Sequence, residues 1–115
     1  MKVSIIIPIY NEEKTIGRLL HTLEPVKGKA EILFVDGGST DRTLGMIPKE
    51  YTAIKGPKGR AWQMNLGAEK STGSVLFFLH CDSELPKDAI EQIEAVMRKY
   101  RVGCFGIAFH SKNIW

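Results

Sequence analysis

Three short polar clusters follow predicted strands of this 115-residue chain, and their side chains could bind a charged ligand. The clusters are PIYNEE, which starts at Pro8, DGGSTD, which starts at Asp36, and HCDSE, which starts at His80. In an open parallel sheet, ligands bind beyond the carboxyl ends of the strands, so all three clusters would lie on one edge. A single strand-end Asp is as well explained by a helix cap, but three such clusters together predict a binding cleft.

Asp36 directly follows the apolar stretch ILFV and precedes two glycines. Its carboxylate can accept a hydrogen bond from a ligand N–H or hydroxyl, which is worth about 1.5–3 kcal/mol in a sheltered site. The two glycines permit a close approach of the backbone or a positive φ. Ser39, Thr40 and Asp41 can cap the helix that follows, and we expect the role of Asp41 to be structural.

His80, Asp82 and Glu84 alternate along HCDSE, so an extended backbone would point all three side chains to one side. Asp82 could hold a hard divalent cation that also bridges two phosphate oxygens, because such ions often take only one or two protein carboxylates. The alternative is that Asp82 or Ser83 only helps to start the next helix. His80 is either a ligand contact or a buried, hydrogen-bonded histidine, and Glu84 is expected in solvent.

No glycine-rich phosphate-binding motif accompanies these clusters. The first strand runs into PIYNEEKTI, which has no glycine before Gly17, and the chain lacks GxxxxGK[ST]. Phosphates must therefore be held by a metal ion or by basic side chains. The basic loop GPKGR opens a helix, whose start attracts anions, and Lys58 or Arg60 could reach a diphosphate; the alternative is an ordinary surface loop.

Apolar periodicity predicts alternating strands and helices that would position these residues in a single domain, residues 1–115. The predicted strands cover 3–9, 32–35, 51–56 (a weak edge strand), 75–79 and 102–109. Four helices are predicted between the strands. The first follows an Asn11 cap, the second is short and ends before Pro48, the third covers 60–71, and the fourth starts at Pro86. The helix faces toward the core are expected to carry Ile16, Leu19, Leu20 and Leu23, then Ala61, Met64 and Ala68, then Ile90, Ile93, Met97 and Tyr100, with Trp62 in the core or the cleft wall.

Alternation of this kind predicts a mostly parallel sheet with helices on both faces. The chain is 43% apolar and 25% charged with a net charge of +3, and its basic residues are scattered, which argues against nucleic-acid binding. No run approaches the roughly 18 apolar residues of a membrane span. Cys81 and Cys104 show no CxxC spacing, so we expect free thiols used for packing and a reducing, cytoplasmic location.

Four segments of the chain form a recognisable series: IIIPIYNEEKTIGRLL, EILFVDGGSTDRT, GRAWQMNLGAEKSTGSVLFFLHCDSELP and GCFGIAF. In order and spacing they resemble the nucleotide-sugar-binding half of family 2 glycosyltransferases, and the resemblance covers nearly the whole chain. It implies the GT-A fold, a three-layer Rossmann-like α/β sandwich with a mostly parallel sheet, here C-terminally truncated. It also implies transfer of a sugar, with inversion, from a nucleoside-diphosphate donor that we expect to be a UDP-sugar.

The resemblance further implies roles for individual residues in binding the nucleoside. Pro8, Tyr10, Asn11 and Glu12 match the segment that lines the nucleoside pocket, with Tyr10 as a wall for the base. Asp36 matches the acid that accepts the uracil N–H when the donor is a UDP-sugar.

The remaining implied roles concern the diphosphate and its cation. Gly38 and Ser39 match the turn beneath the nucleotide, and Arg60 matches a basic residue near the base and diphosphate. Asp82 matches the final acid of the family's D-x-D motif, which holds Mg²⁺ or Mn²⁺. His80 replaces the first acid of that motif and is assigned to nucleotide binding, as in subgroups that resemble this His-x-Asp version.

In the family, the catalytic base and the acceptor site follow the strand that GCFGIAF resembles, and no residue up to Trp115 matches that base. We therefore expect donor binding without transfer by this chain alone, and self-association as a homodimer through its last strand. One competing reading is a nucleotide-sugar-binding module that turns nothing over. Another is an unrelated doubly wound protein in which the strand-end acids are helix caps.

Overall fold

Four parallel strands form the central layer of the structure, a computed structural model that describes residues 2–99. The strands are β1 (Val3–Ile9), β2 (Glu31–Asp36), β3 (Thr52–Lys55) and β4 (Val75–Phe78). Their order in the sheet is β3-β2-β1-β4, so the weak third strand lies at an edge, as predicted. The buried, β-branched and aromatic sequences of β1 and β2 suit strands that are covered on both faces.

Helices connect these strands and cover both faces of the sheet. They are α1 (Ile16–Leu23), α2 (Thr43–Met46), α3 (Arg60–Lys70) and α4 (Ala89–Lys99), with a 3₁₀ turn at Glu24–Val26 after α1. The predicted strand over 102–109 and the predicted helical position of Tyr100 lie outside the described residues. Within 2–99, no helix combines the length and the apolar character that crossing a membrane requires.

The main apolar core lies between the sheet and helices α1 and α4. Alternate residues of a strand point to opposite faces, so Ile5 and Ile7 of β1 share this side with Phe34 and Phe77 of the neighbouring strands. Ile16, Leu19 and Leu23 of α1 and Ile90 and Ile93 of α4 pack against them, as their spacing predicted.

Among residues 2–99, helix α3 covers the opposite face, where it packs over β1 and β2. The predicted face of this helix was wrong, because the buried residues of α3 are Gln63 and Gly67. A Cβ at Gly67 would clash with Ile6 Cγ2, so glycine is what allows the helix to lie this close to the sheet. Trp62, expected in the core or the cleft wall, is 67% exposed.

Two predicted helix caps were also wrong. Helix α1 begins at Ile16 without a side-chain cap, and Asn11 instead takes a positive φ of 49° and bonds to the loop after β2. Neither Ser39 nor Thr40 caps α2, whose N-terminal residue makes no side-chain cap bond. The structural role expected for Asp41 is confirmed, because Asp41 Oδ1 accepts from the backbone N–H of Thr43 at 2.9 Å.

Most element boundaries match the prediction to within a residue. Strand β2 is one residue longer at each end than predicted, and β3 is one residue shorter at each end. Strand β4 and helix α3 each end one residue earlier than predicted. Helix α4 begins at Ala89 rather than at Pro86, which lies in the turn before it.

A polar cluster ties the amino end of the sheet to the segment before β4. Glu31 Oε1 accepts from the Ser4 hydroxyl at 2.7 Å and from the Thr72 N–H at 2.9 Å. The Ser4 hydroxyl accepts in turn from the Gly73 N–H at 2.9 Å. The bond from the Thr72 N–H, supported by the one from Ser4, lowers the pKa of Glu31 below its ordinary 4.5.

We predict that Glu31→Gln lowers the free energy of unfolding at pH 7 by about 1 kcal/mol, because it removes the charge from these hydrogen bonds. A lowered pKa in the folded state stabilises the protein above pH 4.5, and that contribution is lost as the pH falls through the folded-state value. Urea denaturation from pH 7 to pH 3 should therefore show a smaller acid-induced loss of stability in the variant. Glu69→Gln, an exposed site, is the matched control, and equal curves for wild type and Glu31→Gln would contradict the prediction.

Candidate functional site

A cavity of about 580 Å³ opens at the carboxyl edge of the sheet, where the polar clusters were predicted to meet. Its volume is in the range of small-molecule sites, roughly 300–1,000 Å³. The end of β1, the loops after β1, β3 and β4, the residue before α1 and the first turn of α3 form its walls. The lining residues are Pro8, Ile9, Tyr10, Glu12, Thr15, Lys58, Gly59, Arg60, Gln63, His80, Cys81 and Asp82.

The structure brings only part of the predicted site together in this cavity. The predicted residues that line it are Pro8, Tyr10, Glu12, Arg60, His80 and Asp82. The predicted residues outside its lining are Asn11, Asp36, Gly38 and Ser39. Asp36 ends β2, Gly38 and Ser39 lie in the loop after it, and Asn11 lies in the loop after β1 and contacts that loop. The cluster after β2 therefore supports the cavity from behind rather than forming its wall.

The basic loop between β3 and α3 faces the loop after β1 across the cavity. The Lys58 ammonium nitrogen lies 4.3 Å from the centroid of the Tyr10 ring, which is a cation–π geometry. Lys58 and Arg60 are both exposed, so their charges are available to an anion that enters the cavity. The loop therefore lines the cavity as well as connecting β3 to α3.

The segment after β4 alternates between core and solvent. Asp82 and Glu84 are exposed, while Cys81 and Ser83 are buried, so the solvated position expected for Glu84 is confirmed. The Ser83 N–H donates to the His80 carbonyl at 3.1 Å, and this turn presents Asp82 to the cavity. Cys81 is 5% exposed and belongs to the apolar core, which suits the packing role expected for it, and burial raises the pKa of its thiol to about 12.

The donor set of the cavity suits a cation shared with a ligand. Asp82 and Glu12 supply carboxylates to the same cavity, and His80 supplies an imidazole. Over residues 2–99, no group of three or more His, Cys, Asp or Glu side chains is arranged to hold a metal ion by itself. Mg²⁺ and Mn²⁺ bound through one or two carboxylates complete their shells with phosphate and water, so these residues fit a metal that arrives with a phosphate ligand.

Asp36 is 1% exposed, and its carboxylate is engaged by the turn that follows it. Oδ2 accepts from the N–H groups of Gly38 and Ser39, each at 2.9 Å, and Oδ1 accepts from the Ser39 hydroxyl. Gly38 takes a φ of 96°, which is why a glycine stands there. The charge at the end of the most apolar strand thus holds a tight turn in place.

Hydrogen bonds connect this turn to the loop after β1. The Ser39 hydroxyl accepts from the Asn11 N–H at 2.8 Å, and Asn11 Oδ1 accepts from the Thr40 N–H at 2.7 Å. The Glu12 N–H donates to the Thr43 hydroxyl at 2.7 Å. The backbone on either side of Tyr10 and Glu12, which line the cavity, is therefore positioned by residues that do not line it.

Gln63 is the site residue that the sequence prediction missed. It is 4% exposed, and its Nε2 donates to the carbonyls of Ile9 and Val35 at 2.8 and 2.9 Å, near the ends of β1 and β2. Its Oε1 accepts from the Gly59 N–H at 3.2 Å. The spacing of Gln63 and Gly67 is the signal that could have identified it. Residues four apart lie on the same face of a helix, so a glutamine at this distance from the glycine that packs on the sheet is expected to be buried.

Comparison with known proteins places the chain in a family. The model of Glycosyl transferase family 2 matches residues 4–114. The chain is also similar to the 4,4'-diaponeurosporenoate glycosyltransferase of Staphylococcus haemolyticus, with 31% identity over 107 residues, which is 85% of this chain and 28% of that protein.

Solved structures agree in fold. TarS residues 1–349 of S. aureus, solved in complex with UDP-GlcNAc, superimposes with a TM-score of 0.73 at 25% identity, covering 88% of this chain and 32% of that one. Mannosyltransferase PcManGT of Pyrobaculum calidifontis, solved with GDP-Man and Mn²⁺, gives a TM-score of 0.76 over 89% of this chain and 34% of that one; at 22% identity it shows the fold alone. The predicted GT-A sandwich is thereby confirmed, and the chain spans about a third of the length of these proteins.

We predict that Asp36→Asn lowers the free energy of unfolding by about 2 kcal/mol, because the amide removes the negative charge from the hydrogen bonds with the N–H groups of Gly38 and Ser39 and leaves only one side-chain atom that can accept. Ser39→Ala removes only the hydroxyl contacts and should cost about 1 kcal/mol. Urea denaturation followed by circular dichroism measures both. An Asp36→Asn variant as stable as wild type would show that the carboxylate does not hold the turn.

Proposed function

The chain belongs to glycosyl transferase family 2, and on that premise we propose that its carboxyl-edge cavity binds the nucleoside diphosphate of a sugar donor, with UDP as the nucleotide. One observation carries this proposal: the cavity combines the carboxylate of Asp82 with the cationic side chains of Lys58 and Arg60. That combination suits a diphosphate bridged to a divalent cation. The solved complex of the related TarS with UDP-GlcNAc supports this choice of ligand.

Asp82 and the ligand's phosphate oxygens would hold Mg²⁺ or Mn²⁺ between them, with Glu12 as a second carboxylate in the same cavity. When bound, the cation supplies positive charge that stabilises the leaving diphosphate. The presence of Mn²⁺ in the PcManGT complex supports a divalent cation here. His80 is proposed as a nucleotide contact beside Asp82, since both line the cavity.

Lys58 and Arg60 would neutralise the rest of the diphosphate charge. Arg60 is the first residue of the 11-residue helix α3, whose amino end carries partial positive charge toward the cavity. In the structure the Lys58 ammonium covers the Tyr10 ring. A nucleotide would offer Lys58 a phosphate in place of the ring, because a charge-assisted hydrogen bond is stronger than an exposed cation–π contact. The Tyr10 ring would then be free to pack against the base.

The direct uracil contact implied for Asp36 stays a prediction. Its carboxylate already accepts three hydrogen bonds, and a carboxylate has about four acceptor positions, which leaves one for a ligand N–H. Gly38 and Ser39 would act with Asp36 by shaping the turn behind the nucleotide. An Asp36→Asn variant that bound uridine as tightly as wild type would contradict the contact.

We propose that the whole reaction is sugar transfer with inversion, as the resemblance implies. An acceptor hydroxyl would attack the anomeric carbon, the bond to the diphosphate would break, and the hydroxyl proton would pass to a base. Residues 2–99 are assigned to the donor in this scheme, and the base and the acceptor are not assigned to them. The homodimer through residues 102–109 also stays a prediction, because that segment lies outside the described residues.

We predict that UDP raises the melting temperature of the protein only when Mg²⁺ or Mn²⁺ is present, because the cavity lacks a glycine-rich phosphate cradle. At about 100 times its dissociation constant, a ligand that binds only the folded state stabilises it by about 2.7 kcal/mol. Differential scanning fluorimetry with UDP, with and without MnCl₂ and EDTA, measures the effect. In Asp82→Asn, UDP should no longer raise the melting temperature when MnCl₂ is present.

Glu84→Gln is the matched control, since Glu84 is an exposed carboxylate two residues from Asp82 that does not line the cavity. It should retain the wild-type response to UDP and Mn²⁺. Equal stabilisation by UDP in MnCl₂ and in EDTA would remove the metal role of Asp82. If UDP does not stabilise the wild type either with or without metal, the proposed function itself is contradicted.

A further inference from the structure

We infer that Gln63 is a positioning residue for the donor site, one that sets the basic loop GPKGR, residues 56–60, against the ends of β1 and β2. The inference rests on the proposed function, since it concerns how that site holds the diphosphate. Gln63 is nearly fully buried, and its side-chain amide lies at the floor of the cavity. Its hydrogen bonds reach three separate segments of the chain.

The orientation of the amide follows from its partners. Nε2 carries two N–H groups, and they point at two carbonyl oxygens, those of Ile9 and Val35. Oε1 accepts from the Gly59 N–H. The reverse orientation would place the amide oxygen against both carbonyls. One side chain therefore satisfies two strand ends and one loop, which a side chain that only donates or only accepts cannot do.

The loop that Gln63 holds carries the cations of the site. Gly59 lies between Lys58 and Arg60, so the bond from its N–H to Gln63 fixes the backbone from which both side chains extend. At the other end of the loop, the Gly56 N–H donates to the Asp36 carbonyl at 2.8 Å. The loop is thus anchored at both ends to the carboxyl edge of the sheet.

Gly37 provides independent evidence that the chain leaves room for the Gln63 side-chain amide at this position. Gly37 is not among the positive-φ glycines described within residues 2–99, so its backbone does not itself require glycine. A Cβ at Gly37 would instead lie 3.0 Å from Cδ, Nε2 and Oε1 of Gln63. The first glycine of DGG, Gly37, therefore leaves room for the Gln63 amide, whereas the second, Gly38, supplies the positive φ that the turn requires.

This arrangement predicts that Gln63 affects the diphosphate more than the nucleoside, because the loop it holds carries Lys58 and Arg60. The test is calorimetric titration with two probes, UDP in MnCl₂ and uridine alone, on four proteins. They are wild type, Gln63→Ala, Gly37→Ala and the double variant. Gln92→Ala, on the exposed side of α4, is the glutamine control and should match wild type.

Each single variant should weaken UDP binding by about tenfold, as expected for loss of about one or two hydrogen bonds, and uridine binding by no more than about twofold. The double variant should be no more than about twofold weaker than Gln63→Ala, because the alanine Cβ at position 37 then fills space that the amide has left. A merely destabilising role would lower the melting temperature without this split between the probes. Losses that multiply to about a hundredfold, or wild-type UDP affinity in Gln63→Ala, would overturn the inference.

Two further measurements distinguish a failure of this inference from misfolding of the variant and from failure of the proposed function. If Gln63→Ala does not fold, Gln63→Met keeps the side-chain volume without the hydrogen bonds and should show the same split between UDP and uridine. If wild type does not bind UDP, the proposed function fails, and amide hydrogen exchange still tests the anchor. Exchange of the Gly59 N–H should be at least about tenfold faster in Gln63→Met, and an unchanged rate would overturn the positioning role.

Discussion

Strand β1 pairs in parallel with β2 on one side and with β4 on the other, and this pairing places the carboxyl ends of the strands at a single edge. Parallel strands cannot be joined by tight hairpins, so each connection must cross a face of the sheet as a helix. The loops that start those crossovers collect at the same edge as the strand ends. The cavity, its carboxylates and its cations all follow from this arrangement.

Backbone groups at such an edge must be satisfied without further strand pairing, and buried polar side chains perform that task here. The Asp36 carboxylate closes the turn after β2, and the Gln63 amide bridges β1, β2 and the loop before α3. Both groups are nearly fully buried, so removing either leaves donors or acceptors that water cannot easily reach. Rigid support of this kind leaves the exposed charges of Lys58, Arg60 and Asp82 for a ligand.

Features that depend on local periodicity were predictable from the sequence, while those that depend on contacts between distant segments were not. The buried strands and the apolar faces of α1 and α4 follow directly from their residue patterns. The sequence predicts Asn11 as a helix cap because asparagine often has that local role, yet its side chain binds Thr40, which lies 29 residues away. The buried face of α3 was misjudged because Gly67 and Gln63 are not apolar, and only their fit against Ile6 and the strand ends explains them. For the same reason the sequence indicated Asp82 and Arg60 in the site but not Gln63.

The central claim is that a cation bound with UDP lies at Asp82, on the carboxyl edge of the sheet. Paramagnetic broadening by Mn²⁺ in the presence of UDP, recorded on the ¹⁵N-labelled protein, tests this directly because the effect falls steeply with distance from the ion. The account predicts that the amide signals of Cys81, Asp82 and Ser83 broaden first, while those of Glu31 and Thr72 at the opposite edge persist. Broadening centred on the surface acids Glu24 and Glu50, or equal broadening in Asp82→Asn, would contradict it.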